Sequence, residues 1–298
     1  MNYRKLGKSD LLVSEISFGC MSLKPESREN DTILKRAIEM GINYFDTADL
    51  YDQGENERLL GKALKHDRQK IYIGTKVGNQ WRADGSGWDW NPRKDYIIQA
   101  VDHSLQRLQT EYIDLYQLHG GTIDDPMDDT IEAFELLVSQ GKIRYYGISS
   151  IRPNVIREYA SRSNIVSVMM QYSLLDRRPE ESCFPLLETN NIGVLSRGSL
   201  AKGLLVDKKA TDYLGHGTKT IEAVQTEVSK MANSDRNSAQ VALKFALGQT
   251  AVSSAVTGFR TLHQLDNVLN GIDTALLTKE ELNSLKVTAP ATLYDNHR

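Results

Sequence analysis

The run Ile71-Tyr72-Ile73-Gly74-Thr75-Lys76, and after it Ile113-Asp114-Leu115-Tyr116-Gln117-Leu118-His119, set the pattern of the chain: a short, mostly apolar β-rich segment that ends in one ionisable side chain. Between them Ile97, Val101, Leu105 and Leu108 recur at the spacing of one helix face. Strand, helix and strand in that order form a βα unit, and such units assemble into a parallel sheet. Working outward, strand candidates begin near Ile16, Tyr44, Ile71, Ile113, Tyr145, Val168, Gly193 and Ser254, and two further apolar faces read Ile131, Phe134, Leu137 and Leu262, Leu265, Leu269. Eight such units in 298 residues predict one α/β domain over residues 1–298, a closed (β/α)8 barrel.

Four stretches fall outside the eightfold count. Residues 2–14 read as a hairpin turned at Gly7-Lys8-Ser9-Asp10, expected to plug the end of the barrel away from the ionisable strand ends. Residues 77–92 read as a long loop and 203–238 as an inserted loop with a helix, both expected at the catalytic face; an extra helix is expected over about 278–288. Trp81, Trp88 and Trp90 either line a pocket there or pack the loop against the rim, and both readings stay open.

Composition narrows the partners. A net charge of −3 with Lys and Arg scattered gives no footprint for nucleic acid or for a membrane surface, so a small-molecule partner is expected. Two cysteines, Cys20 and Cys183, cannot build a disulfide framework or a multi-thiolate zinc site, and six dispersed His residues suggest no metal centre. Met1 to Gly7 is polar where a signal peptide would be apolar, and no run approaches the ~20 apolar residues of a membrane span, so a cytoplasmic location is expected.

The chemistry gathers at strand ends. In Gly41-Ile42-Asn43-Tyr44-Phe45-Asp46-Thr47-Ala48-Asp49-Leu50-Tyr51, Asp46 closes the second strand and Tyr51 follows in the loop; Lys76 closes the third and His119 the fourth. Singly, these would read as a cap, a packed aromatic, a solvated charge and a packed imidazole. Converging on one rim, they suit a common task. Hydride reduction of a carbonyl leaves negative charge on oxygen, which needs a positioned proton donor and hydrogen bonds to the developing oxyanion. Tyr51 is the acid in this reading. Lys76 is expected to pull its phenol toward neutrality, Asp46 to hold Lys76 charged, and His119 to place the carbonyl.

With these residues in view, the sequence resembles the aldo-keto reductases, whose Asp, Tyr, Lys and His tetrad matches Asp46, Tyr51, Lys76 and His119. Gly141-Lys142-Ile143-Arg144-Tyr145-Tyr146-Gly147-Ile148-Ser149 and Gln171-Tyr172-Ser173-Leu174-Leu175-Asp176-Arg177 carry the likeness across nearly the whole chain. The resemblance implies NADP(H) bound without a Rossmann fold and a small carbonyl substrate. It implies that Ser149 and Gln171 hold the nicotinamide carboxamide, and that Arg197, Gly198, Leu200, Lys202 and Gly203 form a pyrophosphate loop. It further implies that Gly258, Arg260 and Gln264 meet the 2′-phosphate and Asn267 the adenine, with Gly19, Met21 and Asp46 also on the cofactor. Ser150 stands where many members have Asn, Arg197 where many stack a Tyr, and Gly120-Gly121 follow His119 in place of the frequent Trp-Pro; Arg197 points to the bacterial, potassium-channel-β-like branch. A monomer or weak homo-oligomer is expected. The competing readings are a partner-docking protein that keeps the cofactor, and a barrel aldolase or isomerase that uses Lys76 as a nucleophile; Asp46 beside Lys76 disfavours the latter by keeping the amine protonated.

Overall fold

In the computed structural model, which describes residues 1–273 and 275–298, a hairpin of β1 (Tyr3–Lys5) and β2 (Leu12–Ser14) precedes the alternating units. They run β3 (Ile16–Gly19), α1 (Asn30–Glu39), β4 (Tyr44–Asp46), α2 (Glu55–Leu64), β5 (Tyr72–Val77), β6 (Asn79–Trp81), β7 (Trp88–Trp90), α3 (Lys94–Leu108) and β8 (Ile113–Leu118). Then come α4 (Met127–Ser139), β9 (Ile143–Ser149), α5 (Pro153–Arg162), β10 (Ser167–Gln171), α6 (Cys183–Thr189) and β11 (Gly193–Arg197). The chain ends with α7 (Thr218–Met231), α8 (Ser238–Leu247), β12 (Val252–Thr257), α9 (Leu262–Leu269) and α10 (Lys279–Thr288). Strands β3, β4, β5, β8, β9, β10, β11 and β12 pair in parallel in that order and close on one another.

Side chains alternate across each strand, so one set faces the barrel interior and the other the helices. The inward set includes Tyr44, Leu115, Met169, Leu195 and Val256, which pack with Leu6, Leu11 and Val13 of the hairpin region into one buried cluster. The hairpin closes the N-terminal ends of the strands. Arg4 donates to the Val252 carbonyl (3.0 Å), Ser253 to the Lys5 carbonyl (3.0 Å), and Gly7, at φ +55°, lies so close to the backbone of Val166 and Gly193 that a Cβ would clash. The outward set meets Ile97, Val101 and Leu108 of α3, Phe134 and Leu137 of α4 and Leu265 and Leu269 of α9 in a second, larger core.

One loop expectation is corrected. Within residues 77–92 the chain forms an antiparallel hairpin, with Asn79 opposite Trp90 and Trp81 opposite Trp88. The Arg82–Asp89 ion pair (2.6 Å) clasps it across the strands, and Ala83-Asp84-Gly85-Ser86 supplies the turn. Trp90 lies over Gly78, where a Cβ would come within 2.6 Å of its ring, and donates to Asp125 Oδ1 (3.0 Å). No helix among the described residues is long and apolar enough to cross a membrane.

Candidate functional site at the barrel mouth

Following the inward parity of each strand upward from the core leads to a residue at or beside its C-terminal end: Tyr44 to Asp46, Gly74 to Lys76, Leu115 through Gln117 to His119, Tyr145 to Ser149, Met169 to Gln171, Leu195 to Arg197. A cavity of about 930 Å³ opens there. Gly74 makes room within the floor, because a Cβ at that position would fall 1.9 Å from the Tyr44 hydroxyl.

Lys76 and Asp46 are both buried and form the centre of the site. Lys76 Nζ donates to Asp46 Oδ2 (2.6 Å) and to the Thr47 carbonyl (2.7 Å), and lies 3.5 Å from the Tyr51 hydroxyl. Gln117 Nε2 approaches Asp46 Oδ1 at 3.5 Å. Burial alone would lower the Lys76 ammonium and raise the Asp46 carboxyl; the pair, with Tyr51 beside it, leaves Lys76 above its ordinary value, so it stays charged. The Tyr51 and His119 rings meet edge to face at 5.8 Å.

Tyr51 departs from the expected electrostatics. Burial pushes its phenol above the ordinary value of 10.0, the Lys76 ammonium pulls against this without overcoming it, and the Asp46 carboxylate adds to the rise. The group is therefore held protonated rather than drawn toward neutrality. Burial, then Lys76 and Arg197, drive the His119 imidazolium down from 6.5 to about 3, and its Nδ1 is buried with no hydrogen-bond partner among the described residues. Between those two values the unfolded chain protonates this His and the folded one does not, so stability rises with pH across that window. A His119→Asn variant is expected to lose that part of the slope, as read from urea midpoints of both proteins across the window.

Of the positions assigned to a cofactor, Gly19, Met21, Asp46, Ser149, Gln171, Arg197, Gly198, Lys202, Gly258 and Arg260 line the cavity. The Gln171 amide is held between the Tyr213 hydroxyl (3.2 Å) and Arg197 Nη1 (3.2 Å). In the segment after β11, Gly198, Ala201, Lys202 and Gly203 all take positive φ (72°, 47°, 58° and 92°), which winds the loop into tight turns of the kind that turn backbone amides toward an anion. Leu200, Gly203, Gln264 and Asn267 lie outside the cavity lining. Gln264 accepts from the Arg260 amide (2.9 Å), its own amide donating to Thr261, which caps α9, and Asn267 accepts from Asn237 of the α8 cap.

Sequence reasoning missed several lining groups. Arg152 and Tyr213 border the cavity, as does the tail from Tyr294 to His297, whereas none of Trp81, Trp88 and Trp90 does. The tail is tied down where the Asn154 amide donates to the His297 carbonyl (2.8 Å) and the Tyr294 amide to Glu181 (3.1 Å). Gln117 had a signal, since it shares the inward parity of His119 two residues on; the tail had none.

A closed parallel barrel with a buried Lys–Asp pair, a Tyr and a neutral His at its C-terminal mouth defines an (β/α)8 protein with its candidate site where barrel enzymes carry theirs. The chain matches the Aldo/keto reductase family over residues 15–288 and belongs to it. It is 48% identical to an uncharacterised oxidoreductase, YqkF, of Bacillus subtilis, with the whole of both chains covered. It is 34% identical to the aldo-keto reductase yakc [NADP(+)] of Schizosaccharomyces pombe over 68% of this chain and 62% of that one. Among solved structures it is similar to the holo form of aldo-keto reductase AKR11C1 from Bacillus halodurans, at 49% identity, with 100% and 99% of the two chains covered and a TM-score of 0.95. Membership makes the chain an oxidoreductase of this class.

Proposed function

We propose that this oxidoreductase is an NADPH-dependent carbonyl reductase, acting on small aldehydes or ketones, with Tyr51 as the proton donor. The observation that carries the reading is the Lys76–Asp46 pair set against the Tyr51 hydroxyl, beside a neutral imidazole, at the inner end of a large cavity. The outer rim fits a dinucleotide phosphate. Arg197, Lys202 and Arg260 line it, and none forms an ion pair among the described residues, so three cations stand ready for phosphate oxygens. The amide-turned segment 198–203 suits the pyrophosphate, Ser149 and Gln171 suit the carboxamide, and Arg260, just ahead of the N-terminus of α9, suits a 2′-phosphate.

When bound, NADPH supplies the hydride to the carbonyl carbon. Tyr51 holds its proton until the substrate oxygen acquires charge and then donates it. Lys76 stabilises the phenolate left behind, and Asp46 keeps Lys76 charged and oriented. The neutral His119 ring offers one N–H to the same oxygen, which positions the carbonyl without adding a second net charge.

The test is NADPH oxidation over a panel of aldehydes and diketones, with cofactor affinity followed by fluorescence for wild type and Arg260→Gln. Loss of a charge-assisted contact of about 1.5–3 kcal/mol should raise the KM for NADPH by roughly 10- to 150-fold and move the KM for NADH far less. Equal changes for the two cofactors would remove Arg260 from the phosphate site. Tight NADPH binding with no turnover across the panel would favour the partner-docking reading instead.

A further inference from the structure

We propose that Arg152 binds an anionic group of the substrate, so that the preferred carbonyl compounds carry a carboxylate a few bonds from the reacting carbon. This rests on the reductase reading and deepens it by naming the substrate class.

Arg152 lies between β9 and α5, in the turn that ends at Pro153, and it lines the same cavity as Tyr51, Lys76 and His119. Its amide donates to Ser150 Oγ (3.2 Å), and its Nη1 donates to the Gly121 carbonyl. Gly121 is two residues past His119, a span of at most about 7 Å of backbone. The guanidinium is thus anchored to the loop that leaves His119, where the substrate carbonyl is placed. In barrel order β9 sits next to β8, which leads into His119, whereas Arg197 ends β11 and Lys202 and Arg260 follow β11 and β12. The cations assigned to the cofactor therefore stand on other strands.

The two remaining cations of the lining besides Arg152 and those assigned to the cofactor are held in ion pairs. Lys76 is paired with Asp46, and Arg178 makes a two-pronged pair with Asp176 (2.8 and 2.8 Å). Arg152 is half-buried, and among the described residues it forms no ion pair and donates its side chain to no other group. Asp295, the lining acid on the tail, is exposed and not paired with it. A partly desolvated guanidinium with free donors is matched best by a planar carboxylate that takes two of them at once. A carboxylate that reaches Arg152 from a carbonyl held between Tyr51 and His119 lies on the β8–β9 side of the cavity.

The experiment compares 4-formylbenzoate with its methyl ester as substrates of the whole protein with NADPH. The ester is the more electrophilic aldehyde, so any preference for the acid reports binding rather than reactivity. Wild type is expected to favour the acid by about tenfold or more in kcat/KM, mainly through KM, as a charge-assisted pair gives. Arg152→Gln should bring the ratio to near one, and Arg152→Lys, which keeps the charge and loses the fork, should restore part of it. The ratio is taken within one preparation, so a general loss of active protein does not change it. Ester reduced as well as acid by wild type, or an unchanged ratio in Arg152→Gln, overturns this inference and leaves the reductase reading intact. If neither compound nor any neutral aldehyde is reduced, the reductase reading fails and this one fails with it.

Discussion

Replacing Tyr51 by Phe is expected to cut turnover by about 10²- to 10⁴-fold while NADPH still binds, because a positioned proton donor contributes rate of that order. The ring keeps its edge-to-face contact with His119 and its place 5.1 Å from Lys76 Nζ, so the variant removes one hydroxyl and little packing. Steady-state rates on the best aldehyde, together with fluorescence titration of NADPH, separate chemistry from binding. Retained turnover would assign the proton to another group. The pH profile carries a second sign: with the phenol pushed above 10.0, wild-type reduction should hold level through neutral pH and fall only in strong alkali, and alcohol oxidation, which needs the phenolate, should climb in that same direction.

Lys76→Met should destabilise the fold by about 3–5 kcal/mol, the cost of leaving a buried charge without its partner. Side-chain exposure of the pair is 1% and 5%, so solvent cannot take over the role of either. Asp46 would be left with the long contact to Gln117 as its remaining donor. The double variant Lys76→Met with Asp46→Asn is expected to be more stable than Lys76→Met alone, since no uncompensated charge remains. Urea unfolding of the three proteins measures this. In Lys76→Met the Asp46 carboxyl, already raised by burial, would take up a proton on folding, so the deficit should shrink as pH falls. A deficit that grows toward acid would show that Lys76 was not what held Asp46 ionised.

Most of the scaffold and the heart of the site were legible along the chain. The eight barrel strands begin within two residues of the expected positions, because alternating short β-rich runs and 3.6-residue apolar faces are local signals. Asp46, Lys76 and His119 were visible for the same reason, each standing at or just past a strand end where the barrel rim must be. The hairpin β6–β7 has no local signature, since its strands are three residues each and its clasp, Arg82 with Asp89, becomes evident only when the two are paired. The roles of Trp81, Trp88 and Trp90 were likewise undecidable from spacing: Trp90 packs on Gly78 and Gly120, and the wall it left open is built by Arg152, Tyr213 and the tail.

What the sequence determined by itself, then, is the order of βα units and the kind of side chain delivered to the rim, because both follow from periodicity within a dozen residues. Closure of the barrel decided the rest. It brought Asp46 to 2.6 Å from Lys76 across neighbouring strands, set burial above the Lys76 charge in holding Tyr51 protonated, and laid residues 294–297 beside a loop some 140 positions earlier. Distances between strands, desolvation and contacts between remote segments are properties of the assembled molecule, and no local pattern encodes them.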